Sequence, residues 1–167
     1  MPVVLSRFEG NRLFLPVVAL ILAGAALLIV FRDGPESGCR AVEVLRHADP
    51  ASVATACDQN ALGDLYYYGD GIPQDFGQAF HWFSLAAEQD YDDAQHNLGE
   101  MYFNGESVPK DYVQSYMWLT LAARDDWSLV GKAATEFRKK LGTLMSPEEL
   151  EEAERLAEAW RTAHRPE

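Results

Sequence analysis

Residues 62–87 recur at residues 98–123, displaced by 36 positions. The first copy reads LGDLYYYGDGIPQDFGQAFHWFSLAA and the second reads LGEMYFNGESVPKDYVQSYMWLTLAA. Matching positions include a Leu-Gly pair, a Tyr, one further Gly, a Pro, an Asp, a Trp and a closing Ala-Ala. A fixed period of this length is typical of stacked repeats, in which each unit contacts mainly its neighbours. The repeat therefore favours a binding scaffold over a closed globule with a buried active site.

Each copy predicts two helices joined by a tight turn. Gly69 and Gly105 can adopt the left-handed backbone that ends the first helix of each pair, and Asp75 and Asp111 can cap the second helix. Strand-like alternation is absent, so the fold class is all-α, a short α-solenoid of helix pairs. The predicted helices are residues 40–48, 50–68 with Asp49 as N-cap, 74–89, 93–104, 110–123, 128–144 and, opened by a capping box at Ser146, residues 147–162.

Two repeated positions predict how the helices pack. Gly63 and Gly99 lie inside predicted helices, where Gly is unfavourable, so we expect a partner helix to approach closely there. Trp82 and Trp118 resemble ligand-stacking residues, but their recurrence at one repeat position indicates core packing.

The N-terminal region contains a long apolar segment, Leu13–Phe31, with 19 residues and no charge. As a helix it would span roughly 28 Å, close to the thickness of the bilayer hydrocarbon. A cleaved signal peptide is the alternative, but this segment is long and no A-x-A site follows it. We predict an uncleaved transmembrane signal anchor. Nearby Arg residues do not decide its orientation; the short N-terminal tail favours a cytoplasmic N-terminus and a periplasmic domain at a bacterial inner membrane.

Charge limits the partners of the exported part. The whole chain has a formal net charge of −12, and from Asp33 onward it has 25 acidic and 11 basic residues. Such a surface repels phosphate backbones and anionic lipid headgroups, which disfavours nucleic acid as a partner.

The sequence also predicts how the chain is divided. An N-terminal tail (1–12), the anchor (13–31) and a linker (32–38) precede a helical repeat domain (39–163), and a short tail (164–167) follows it. The full repeats of that domain lie at about 58–93 and 94–129.

The pattern LG-x-x-Y-x-x-G-x-x-x-P-x-D-x-x-Q-[AS]-x-x-W-x-x-L-AA resembles Sel1-like repeats, a family related to tetratricopeptide repeats. The resemblance covers residues 58–123 closely and extends loosely to about Trp160. One departure is that Gly71 of the first copy becomes Ser107 in the second. The resemblance implies antiparallel helix pairs stacked into a right-handed superhelix and an adaptor role that brings proteins together near membranes.

Motifs for catalysis or metal binding are missing from the sequence. The four histidines form no HxxxH or HExxH pair, and GxSxG, P-loop and GxGxxG motifs are absent. We therefore expect no metal, no cofactor and no enzymatic activity. The rival hypothesis is an envelope hydrolase, because some cysteine-rich Sel1-like proteins are linked to β-lactam hydrolysis. Those proteins carry a cysteine pair in each repeat, which neither full copy has here.

Cys39 and Cys57 are the two cysteines of the chain, and 17 residues separate them. A helical hairpin turning at Asp49-Pro50 would bring them together, so an exported domain predicts a disulfide between them. Two free buried thiols in a cytosolic domain are the alternative.

A stripe on the first helix of each repeat is the predicted partner-binding groove. Asn60, Asp64 and Tyr67 are spaced i, i+4, i+7 and lie away from the predicted packing face. The full set is Asn60, Asp64, Tyr67 and Tyr68 with His96, Glu100, Phe103 and Asn104. In tetratricopeptide-like stacks the first helices line the concave groove, so this set would suit a basic or amphipathic peptide. Ordinary burial against neighbouring helices is the competing interpretation.

The predicted function is therefore a membrane-anchored scaffold that binds a protein or peptide at the cell envelope. A second version makes the chain an accessory subunit of a membrane complex, held through Leu13–Phe31 by close helix contact.

Overall fold

The computed structural model describes residues 53–124 and 127–164. Within these ranges the chain forms six helices: α1 Ala56–Tyr68, α2 Phe76–Ala87, α3 Asp92–Asn104, α4 Tyr112–Ala122, α5 Leu129–Gly142 and α6 Pro147–Ala163. Consecutive helices pack on each other from α1 to α5, and α4 also packs against α6. The all-helical prediction and the helix-pair arrangement of an α-solenoid are confirmed.

The turns of the two repeats are built by the same backbone hydrogen bonds. Gly69 and Gly105 take left-handed φ values of 69° and 77°, and each N–H closes the preceding helix by donating to a carbonyl four residues earlier. Six residues further on, the side chains of Asp75 and Asp111 cap the next helix by accepting 3.0 Å hydrogen bonds from the N–H groups of Gln78 and Gln114. The predicted turn chemistry is confirmed in both copies.

Ser107 takes the place of Gly71 without changing the turn. Gly71 has φ 75° and Ser107 has φ 67°. Because a side chain is unfavourable in this left-handed region, Ser107 holds a conformation that Gly would adopt at lower cost.

The start of α1 differs from the sequence prediction. We expected a helix from Pro50 capped by Asp49, but α1 begins at Ala56 and the Thr55 hydroxyl accepts a 3.1 Å hydrogen bond from the N–H of Asp58. Thr55 has extended backbone, so no helix runs through it. The predicted helix over residues 40–48 lies outside the described residues.

One tryptophan and one glycine determine the packing inside each repeat. Trp82 and Trp118 are buried, with 6% and 7% exposure, which confirms their core role. A Cβ added at Gly63 or at Gly99 would overlap the side chain of Phe83 or Leu119 on the partner helix. The predicted close approach is therefore confirmed at both glycines.

The last helix completes the stack. The Ser146 hydroxyl accepts from the N–H of Glu149, and the Glu149 carboxylate accepts from the N–H of Ser146, which confirms the predicted capping box. Ala153 and Ala157 are fully buried, and such small side chains let α6 lie close to α4. The core of the first repeat is thereby continued to the end of the described chain.

The predicted anchor Leu13–Phe31 and linker 32–38 lie outside the described residues. Over 53–124 and 127–164, none of the helices has both the length and the apolar character that crossing a bilayer requires.

Candidate functional site

A shallow depression lies where α1, α2 and α3 meet. Its lining residues are Asp64, Tyr67 and Tyr68 of α1, Phe83 of α2, and Asn97 and Glu100 of α3. The enclosed volume is about 10 Å³, which is room for about one water molecule. A site of this size cannot enclose a small-molecule substrate, but it can receive the polar end of a side chain from a partner.

Asp64 sits at the centre of a small amide network that ties the two repeats together. Asn60 Nδ2 donates to Asp64 Oδ2 at 3.2 Å, and Asn97 Nδ2 donates to Asp64 Oδ1 at 3.4 Å and to Asn60 Oδ1 at 3.2 Å. Among the described residues, no Lys or Arg forms an ion pair with Asp64. The carboxylate is therefore held in place by neutral donors only.

Burial is the main reason that the pKa of Asp64 is raised from 3.8 to about 6, and repulsion from the Asp93 carboxylate adds to it. An ionised Asp64 at neutral pH is thus partly desolvated and close to further negative charge. This electrostatic state favours the approach of a cation.

Tyr67 and Tyr68 form the aromatic wall of the depression. The Tyr67 hydroxyl donates to Glu106 Oε2 at 2.9 Å, and its ring packs edge-on against Phe76 with the centroids 5.3 Å apart. Burial and the bond to Glu106 raise the pKa of Tyr67, so its hydroxyl stays a donor. Tyr68 packs edge-on against Tyr67 at 5.0 Å but is 72% exposed, which leaves most of its ring available for contact.

The Sel1 repeat family matches the chain twice, at residues 58–91 and at residues 92–126. Residues 58–126 are therefore two Sel1 repeats. A solved structure is also similar: a protective antigen of uropathogenic Escherichia coli strains that displays an SLR fold, with 34% identity and a TM-score of 0.64. The match covers 72% of this chain and 25% of that one, so this chain corresponds to a quarter of that protein's length. No curated protein matches the sequence.

The Sel1-like stacking explains which predicted residues reach the depression and which do not. Of the eight groove residues, Asp64, Tyr67, Tyr68 and Glu100 line it, and Asn60 supports it through Asp64. His96 and Phe103 instead face Phe137 of α5, with ring centroids 6.4 Å and 5.1 Å apart. Asn104 is exposed at the end of α3.

The physical reason is that one stripe faces a different neighbour in each repeat. On α1 the stripe meets α3 and leaves an opening beside Asp64. On α3 two residues of the equivalent stripe, His96 and Phe103, are covered by α5, and Phe103 also stacks on Tyr112. The competing interpretation, burial against a neighbouring helix, therefore describes His96 and Phe103.

Two lining residues were missed by the sequence analysis. Phe83 is buried, with 1% exposure, and lines the depression. Asn97 breaks the 36-residue period, since the equivalent first-repeat residue is Ala61. A polar side chain that replaces an alanine in an otherwise matching helix was the available signal.

Over the described residues, no three His, Cys, Asp or Glu side chains are grouped so that they could hold a metal ion. Tyr91 Oη lies 3.4 Å from Cys57 Sγ, which places Cys57 beside the start of α3. Cys39 lies outside the described residues, and the Cys39–Cys57 bridge stays a prediction.

Proposed function

We propose that this Sel1-like repeat protein is a non-enzymatic scaffold that binds a basic segment of a partner protein through the depression between α1 and α3. The observation that carries the proposal is Asp64, a half-buried carboxylate that has neutral hydrogen-bond donors but no cation partner among the described residues. A Lys or Arg from a partner would supply the missing charge.

The wall residues fit the same kind of ligand. Glu100 adds a second carboxylate at the rim, and the exposed ring of Tyr68 offers a face over which a cation can lie. Aromatic residues beside charges are typical of interface hot spots. Sel1 repeats and the SLR-fold neighbour support a role in protein interaction, and the basic nature of the partner is our own inference.

The proposed location is the cell envelope, with Leu13–Phe31 as a single-pass anchor and the repeats in the periplasm. This part rests on the sequence, because the segment is long, uncharged and flanked by Arg12 and Arg32. Full-length protein that resists alkaline carbonate extraction from membranes would support the anchor. A mature chain that begins after residue 32 would contradict it.

Site-specific photo-crosslinking in intact cells tests the binding site. A crosslinking amino acid at position 68 should capture a partner, because that side chain is exposed at the rim. The matched control is position 81, where His81 is exposed on α2 but does not line the depression.

The captured band must also depend on the two carboxylates. Asp64→Asn or Glu100→Gln should weaken it while circular dichroism shows unchanged helicity, because each variant keeps the side-chain shape. Equal capture from positions 68 and 81, or capture that neither variant changes, would contradict the proposed site.

A further inference from the structure

Basic residues are concentrated on one helix of an acidic domain. The described residues contain 18 acidic and eight basic side chains, and α5 alone holds four of the basic ones with one acidic one. The basic residues of α5 are Lys132, Arg138, Lys139 and Lys140. No other described helix has an excess of positive charge, so α5 presents a separate surface.

The exposed face of α5 combines this charge with apolar side chains. At about 100° per residue, Leu129, Lys132 and Lys140 fall on the side opposite the buried Gly131, Ala134 and Leu141. Leu129 is 86% exposed, and Trp127, just before the helix, is 81% exposed. These are the two most exposed large apolar side chains of the described residues.

The same side of α5 carries one acid, Glu136, together with the lysines. Lys139 pairs with Glu136 at 2.9 Å. Lys132 and Lys140 form no ion pair with any other described residue. The face therefore offers two unpaired ammonium groups beside an exposed indole and an exposed leucine.

We propose that this α5 face, made of Trp127, Leu129, Lys132 and Lys140, docks on the anionic surface of a lipid bilayer. Indole rings favour the interface between headgroups and acyl chains, and a leucine beside it adds apolar contact. Lysines near the surface attract anionic headgroups. A bilayer accepts this combination without a complementary pocket.

Three acids are close to this face along the chain: Glu136 is paired with Lys139, and Asp125 and Asp126 directly precede Trp127 in the sequence. The other acids of the domain oppose the contact less. At physiological salt the Debye length is about 8 Å, so exposed acids more than that distance from the bilayer are largely screened. The proposed anchor would tether the domain to a membrane. The inference uses the proposed function only for this tethering.

Quenching of tryptophan fluorescence by brominated lipids tests the docking in the full-length protein. The chain has four tryptophans, and none lies within Leu13–Phe31. Trp82 and Trp118 are buried and Trp160 is half-buried, so Trp127 is the one placed to meet acyl chains. Protein reconstituted in vesicles of equal parts phosphatidylglycerol and phosphatidylcholine should be quenched, and Trp127→Phe should remove most of that quenching.

Lysine variants test the electrostatic part. Lys132→Gln and Lys140→Gln should each lower the ratio of docked to undocked domain about fivefold in anionic vesicles. Vesicles of phosphatidylcholine alone should give little quenching. Lys110→Gln is the matched control, because Lys110 lies outside α5, over the rings of Phe103 and Tyr112, and should leave the quenching unchanged.

The possible failures are distinguishable. Protein that resists carbonate extraction but shows no quenching in anionic vesicles would overturn the docking and leave the anchor intact. Protein that carbonate extracts but that is quenched in a lysine-dependent way would support docking and contradict the anchor. Equal quenching in both lipid mixtures would overturn the anionic preference. If the protein instead associates with itself, shows no quenching, and loses this association in the lysine variants, the face binds a second copy and the proposal is overturned.

Discussion

Phe83 occupies the space that a side chain at Gly63 would need. A Cβ added at Gly63 would lie 2.5 Å from both Cδ1 and Cε1 of Phe83, a ring that is 1% exposed. In the second repeat Leu119 stands in the same relation to Gly99, with its Cγ 2.7 Å from the added Cβ. The glycine of each Leu-Gly pair thus packs against a side chain that lies 20 residues later in the sequence, on the partner helix.

Gly63→Ala should therefore destabilise the domain although Ala is the better helix former. The gain in helix propensity is up to about 1 kcal/mol, whereas overpacking a rigid core costs about 1–3 kcal/mol. We expect a net loss of about 1 kcal/mol in urea unfolding. Gly142→Ala is the control, because its Cβ would lie 3.5 Å from Tyr116, an ordinary contact. Equal stability of the two variants would contradict the packing role of Gly63.

Local signals in the sequence predicted the helix ends well. An Asp that precedes a helix, or a Ser followed three residues later by Glu, is recognised by bonds within one turn, and both formed as expected at Asp75 and Ser146. The start of α1 was missed because Asp49-Pro50 and Thr55 are both valid start signals. Local chemistry does not choose between two such signals.

The candidate site was only partly predictable, because it depends on which helix covers each stripe. The stripe on α1 was identified from its spacing. The period of 36 treated His96 and Phe103 as equivalent to Asn60 and Tyr67, but α5 covers the second pair. The counterpart of Asn97 is Ala61, so recurrence between the two copies does not mark Asn97 as a site residue.

Ser107→Gly should stabilise the domain. A non-glycine residue in the left-handed region costs about 1–2 kcal/mol, and the greater freedom of Gly in the unfolded chain offsets about 0.4–1 kcal/mol of that. The expected net gain is about 0.5 kcal/mol, visible as a higher urea midpoint with an unchanged slope. Gly71→Ala at φ 75° should shift the midpoint the other way. Shifts of the same sign in both variants would show that the two turns are not equivalent.

If Cys39 and Cys57 form a disulfide, replacing either cysteine should lower the free energy of unfolding by the same amount. Closing a loop of this size contributes about 3 kcal/mol in a chain-entropy model. Cys39→Ala, Cys57→Ala and the double variant should then lose nearly the same free energy of unfolding, because any one of them opens the bridge. Alkylation of protein from intact cells should label neither thiol before reduction.

A packing role alone would give a different pattern. Tyr91 contacts Cys57 Sγ, so removal of the sulfur costs packing even without a bridge. Cys57→Ala that destabilises while Cys39→Ala does not would contradict the disulfide. Thiols that react freely in protein from intact cells would also favour a cytosolic domain.

Asp64 should make stability and partner binding respond oppositely to pH. Its pKa is about 6 in the folded domain and 3.8 in the unfolded chain, so between these values the folded state binds more protons. The free energy of unfolding contributed by Asp64 is therefore greatest below about pH 4, falls as the pH rises to about 6, and stays reduced above it. Asp64→Asn should remove this dependence and raise the melting temperature at pH 7.

Binding of a basic partner needs the ionised carboxylate, so affinity should rise as the pH increases through about 6. In the free protein, the ¹³C shift of the Asp64 carboxyl carbon should titrate near pH 6, and a bound cation should lower that pKa. Asp93→Asn should give Asp64 a pKa between 3.8 and about 6, since it removes the repulsion from Asp93 and leaves the burial of Asp64 in place. A midpoint near 3.8 in the free protein would contradict the desolvated site. A midpoint near 6 that does not fall when the captured partner binds would agree with a buried carboxylate but show that Asp64 does not contact the partner.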